Sequence, residues 1–61
     1  MITITIYKKA AYYILQVNIQ KAITTLQHAI TMNFKYQDMA KTDADFDRIR
    51  DDERFQAMVG E

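Results

Sequence analysis

The sequence predicts an all-α fold, one helical hairpin followed by short helices that cap it. Three observations lead there. The chain has no proline and a single glycine, Gly60, so the residues that most strongly oppose a helix are missing from its interior. Residues 19 to 32 place Ile19, Ala22, Ile23, Leu26, Ala29 and Ile30 on one helical stripe, with Gln20, Lys21, Thr24, Gln27, His28 and Thr31 opposite. The connector before that stretch, "QVN", is short enough to force an antiparallel return.

Upstream, Ile4 to Val17 is helical by pattern, but its apolar residues form two neighbouring sets. Ile6, Ala10, Tyr13 and Val17 make one, and Ile4, Tyr7, Ala11, Ile14 and Leu15 the other, leaving Thr5, Lys8, Lys9, Tyr12 and Gln16 as a polar arc. A surface helix needs one apolar stripe, so this helix should have a further face to cover after packing on the second. Its beginning is open between helix and strand: Ile2, Ile4 and Ile6 alternate with threonines, although a lone strand would find no partner elsewhere in the chain. Asn18 is placed to cap the second helix, since its side-chain oxygen can accept from a first-turn amide. Asn33 is its expected stop.

Beyond Asn33, "FKYQDMAK" predicts a third helix with Tyr36, Met39 and Ala40 on one side. The stretch "AKTDADFDRIRDDERFQ" is dense in charge, yet Asp43 can cap a short turn carrying Phe46 and Ile49, three apart on one face. Asp51 or Asp52 can cap a last helix bearing Phe55, Met58 and Val59, which Gly60 ends. Phe46, Ile49, Phe55 and Met58 are expected to fold back over the exposed end of the hairpin.

The 61 residues make one domain, and a chain of this size buries only roughly 60% of its unfolded surface. Without cysteine there is neither a disulfide nor a thiolate metal site, and a reducing, cytoplasmic setting is expected. The core must be completed by close helix packing, by an oligomer or by the rest of a longer protein. The opening "MITITIYKK" lacks the long apolar run of a signal peptide, and no segment reaches the length of a membrane span. Charge is segregated. Residues 1 to 36 carry Lys8, Lys9, Lys21 and Lys35 and no acid, a net +4; residues 37 to 61 carry eight acids against four bases, a net −4. Such halves can be steered together within one chain or between copies, or stay apart as two solvated faces.

Ala10 and Tyr13, followed by Ala22, Leu26 and Ala29, stand at the small and large packing positions of a tetratricopeptide (TPR) repeat, and residues 3 to 36 resemble one such repeat. The segment "KYQDMAKTDADFDRIRDDERFQAMV", residues 35 to 59, is similar to the incomplete repeat that closes many bacterial TPR proteins, which makes residues 37 to 61 the expected carboxy-terminal helical cap. Val17 stands where the inter-helix turn usually has glycine, Phe34 where proline follows the second helix, and Ala44 and Glu53 where the ending commonly has prolines. The resemblance implies a protein-interaction or assembly module of the α-α superhelix type. It also implies that the first helix lines a ligand groove, here built from Ile4, Tyr7, Ala11, Ile14 and Leu15. The lysines and asparagines with which some family members grip a terminal carboxylate are absent from those positions. An apolar groove of this kind suits another protein's helix or a second copy, and a single repeat is short of neighbours, so a homo-oligomer is expected. The alternative is a carboxy-terminal fragment of a larger TPR protein without independent activity.

Other chemistries are weakly supported. Asp43, Asp45 and Asp47 match the first ligands of a calcium loop, but Arg48 replaces the required glycine and Arg54 the bidentate glutamate. Serine and cysteine nucleophiles are missing, so no catalytic residue, metal, cofactor or small-molecule substrate is expected. His28 lies on the polar side of its helix. Lys8 and Lys9 beside Tyr7 and Tyr12 are a faint nucleic-acid pattern, set against zero net charge and an acidic second half. A membrane partner is not expected either, because the first helix has too few cations.

Overall fold

The computed structural model describes residues 2–60; Met1 and Glu61, the last of the eight acids, lie outside the described residues. Four α-helices and one 3₁₀ turn follow in order: α1 (Ile2–Leu15), α2 (Ile19–Met32), α3 (Lys35–Thr42), the 3₁₀ turn (Ala44–Ile49) and α4 (Glu53–Val59). The open question at the amino terminus resolves as helix, since Ile2 to Ile6 form the first turns of α1. No strand occurs among the described residues.

α1 and α2 pack as the antiparallel hairpin. Ala10, Ala22, Leu26 and Ala29 have no exposed surface, and the small side chains at three of these positions allow close approach of the two backbones. The first helix ends at Leu15, earlier than the expected Val17, because the chain reverses there. The Asn18 amide donates to the Tyr13 carbonyl and the Val17 amide to the Ile14 carbonyl, each at 2.9 Å. This is a Schellman closure, and it puts Val17 in the left-handed region at φ 60°. Asn18 then caps α2, its Oδ1 accepting from the Lys21 amide at 3.4 Å, and Asn33 ends it, its amide donating to the Ala29 carbonyl.

The second half folds back onto this hairpin. α3 buries Tyr36 and Ala40 but leaves Met39 exposed, so the expected three-residue side narrows to two. Asp43 caps the 3₁₀ turn, its Oδ1 accepting from the Asp45 amide at 3.0 Å, and Phe46 and Ile49 point into the core. Asp52, rather than Asp51, caps α4 through the Arg54 amide at 2.8 Å, and Gly60 ends it at φ 82°. Phe55 and Val59 are buried, with Met58 half-buried beside them. The Cα radius of gyration of 10.0 Å is close to the ~10.5 Å expected of a folded domain of this length, so the acidic half is packed against the hairpin.

Candidate protein-interaction surface

The face of α1 that the sequence leaves uncovered is divided by the fold. Tyr7, at 4% exposure, and Ile14, at 1%, are core residues; Ile4 and Ala11 are half-buried; Leu15 is 70% exposed. The cover is the chain's own second half. The Tyr7 ring stacks on Tyr36 at 4.8 Å between centroids and meets Phe46 at 5.3 Å, and Phe46 in turn stacks on Phe55 at 6.1 Å. In the single chain the middle of the expected groove, at Tyr7 and Ile14, is covered from within, because the aromatic residues of the acidic stretch need apolar partners and α1 supplies them.

One polar contact fixes that closure. The Tyr7 hydroxyl donates to Asp43 Oδ2 at 2.8 Å while Oδ1 of the same carboxylate caps the 3₁₀ turn. Burial first, then this hydrogen bond and the charges of Asp43 and Asp45, push the Tyr7 phenol well above its ordinary pKa. A second clamp comes from Arg50. Its guanidinium donates to the main-chain carbonyls of Lys41 and, at 2.8 Å, Asp43, and pairs with Asp47 Oδ1 at 2.8 Å while lying over the Phe55 ring. The last carbonyls of α3 are thus satisfied by a side chain from the following turn. Arg54 does similar work at α4. It holds the Asp52 carboxyl down to about 2, chiefly by their side-chain hydrogen bonds, and reaches Gln20 Oε1 on α2 at 2.9 Å.

Two of the three acids of the calcium-like run are thereby engaged by the protein itself, Asp43 with Tyr7 and Asp47 with Arg50. Among the described residues no group of three or more His, Asp or Glu side chains converges in a metal-holding arrangement. No helix among them is long and apolar enough to cross a membrane. His28 is exposed on α2.

What remains open on α1 is its carboxy-terminal end. Ala11, Ile14 and Leu15 line a cleft against Ala44, Asp45 and Arg48 of the 3₁₀ turn. Tyr12, Leu15 and Val17 continue from it as exposed apolar side chains at the hairpin tip. Val17 and Tyr12 are not among the groove residues, since their spacing puts them off the stripe, and their exposure near Leu15 adds apolar surface at the tip. The Arg50 clamp had a partial signal, the Asp47/Arg50 spacing of three, but its carbonyl partners depend on how the chain folds back.

No family model matches this chain, and comparison with curated proteins and with solved structures finds no significant match.

Proposed function

We propose that this protein is a non-catalytic protein-interaction module that self-associates through the open end of the α1 face. The observation that carries this reading is the apolar tip: Leu15 and Val17 are 70% and 74% exposed, adjoining the cleft in which Ala11 and Ile14 meet the 3₁₀ turn. A small domain with little core gains most from covering such a patch. The TPR-like hairpin and its cap support the same role, with Ile4, Ala11 and Leu15 as the accessible part of the groove and Tyr7 and Ile14 as its support from within.

The test is molecular mass across a dilution series by light scattering, for the wild type and for Leu15→Gln. Dimer or higher mass that falls towards monomer on dilution, and falls earlier in the variant with unchanged helicity, is the expected result. A strictly monomeric wild type at micromolar concentration, or a variant that associates as well as the wild type, overturns it.

A further inference from the structure

The hairpin has a second face. Ile6, Lys9, Thr24, Thr25 and His28 line a shallow groove whose walls come entirely from α1 and α2, away from the 3₁₀ turn and the cleft it forms with Leu15. Towards the tip the same sides of the two helices bring Tyr13 and Lys21 together, the ammonium 5.8 Å from the ring centre. Half-buried Ile6 is the apolar residue of the groove and Lys9 its lysine, and half-buried Tyr13 under Lys21 lies beside it towards the tip.

Charge identifies what fits there. Among the described residues the three ion pairs, Lys41–Asp38, Arg50–Asp47 and Arg54–Asp52, all lie within the second half of the chain. Lys8, Lys9, Lys21 and Lys35 take part in none of them, and residues 1 to 36 contain no acid that could serve. In the second half Asp45, Asp51 and Glu53 are exposed and outside those pairs, against one such cation, Arg48, so the cap stays net acidic. The segregation is therefore not neutralised within one chain, and each half presents what the other lacks. We propose that the Lys9/Lys21 face of the hairpin docks the acidic cap of a second copy, with Asp51 and Glu53 of that copy meeting the lysines and Ile6 and Tyr13 supplying apolar contact. Attraction between two such fields speeds encounter and fixes orientation. The two surfaces are different patches of one chain, so the contact is heterologous and repeats from copy to copy. It does not depend on the Leu15 contact, which lies on another side of α1.

Two charge-reversed variants test this, Lys9→Glu/Lys21→Glu and Asp51→Lys/Glu53→Lys, studied by sedimentation velocity at low and high salt. The wild type is expected to associate at low salt and dissociate as salt screens the contact. Each variant alone should associate about tenfold more weakly or worse, and an equimolar mixture of the two should recover association, because the reversed hairpin of one fits the reversed cap of the other. Recovery on mixing cannot arise from misfolding of either variant, and circular dichroism of each alone checks its helicity. Association indifferent to salt and to both reversals, or loss that mixing does not restore, overturns the proposal. Leu15→Gln separates the two contacts: if it alone dissociates the protein, the tip reading stands and this one falls. A wild type monomeric at every salt concentration removes both.

Discussion

The hairpin and its cap are built on opposite logics. In α1 and α2, each of fourteen residues, an apolar stripe and a run free of helix breakers specify helix, and the same stripe then specifies the packing through Ala10, Ala22, Leu26 and Ala29. In the cap no element exceeds eight residues, too short to persist alone. There, tertiary contacts make the secondary structure: the Phe46 and Phe55 rings, the Asp43 carboxylate shared between a cap and Tyr7, and the Arg50 fork on the end of α3. Where local and tertiary signals coincide, a change perturbs packing. Where tertiary contacts create the local structure, one change should release a whole segment.

Phe46→Ala is the strongest way to break the contrast. Phe46 has no exposed surface and touches both Tyr7 of the hairpin and Phe55 of α4. Truncation should cost about 3–5 kcal/mol, comparable to the whole stability of a domain this small. Urea denaturation followed by circular dichroism should find the variant largely unfolded, whereas Asp45→Asn, which removes no capping acceptor, should stay within about 0.5 kcal/mol of wild type. Equal losses would show that the acids do more than start turns.

Arg50→Ala sharpens the comparison within the cap. It leaves the Lys41 carbonyl without its donor and the Asp43 carbonyl with the Phe46 amide alone, and strips the cover from Phe55, at an expected loss of about 2 kcal/mol. Arg50→Lys should recover little, because one ammonium cannot span carbonyls and carboxylate as a fork does. Amide exchange is the informative readout: protection should fall in α3 and α4 before α2. Uniform loss would mean that hairpin and cap open as one unit.

Tyr7→Phe tests the polar tie between α1 and the cap. The hydroxyl given up by this change donates to a carboxylate, and losing it should cost about 1.5 kcal/mol. The pH dependence gives a second readout. Because burial and Asp43 raise the phenol's pKa in the folded state, the unfolded chain loses this proton first. Stability from this group is therefore fully present below about pH 10 and declines as pH rises beyond it. Chemical denaturation across that range should show a shallower alkaline decline in Tyr7→Phe than in the wild type. Parallel curves would mean that the phenol titrates alike in both states.

The same contrast explains what could be read from the sequence. The hairpin, its Asn18 and Asn33 ends, and the capping roles of Asp43 and Asp52 are legible because each depends on residues within a turn or two. The fate of the α1 face was not legible. Tyr7 and Ile14 look like groove residues until the chain returns at Phe46, thirty-odd residues later, and no local pattern states which face that return selects. The groove beside Lys9 is visible in the sequence as charge but not as a surface, since the pattern leaves open whether the basic half meets the acidic half of its own chain, that of a second copy, or solvent.

The smallest expected effect lies at the hairpin tip, where the local rule is violated. Val17 adopts φ 60° at a position that closes α1, a conformation costing an L-residue about 1–2 kcal/mol and a β-branched one at least that. Val17→Gly should relieve the strain at the expense of unfolded-chain freedom, for a net gain of about 1 kcal/mol in thermal or chemical denaturation. Val17 is 74% exposed in the single chain, so its side chain contributes little packing there. The gain should consequently hold for the monomer at high dilution. At high concentration the same variant should associate less well, since glycine removes an apolar side chain from the patch shared with Leu15. A variant stabilised equally at both concentrations would place Val17 outside any contact. One destabilised even when dilute would show that the valine is packed against its own chain, and that the tip is less open than its exposure indicates.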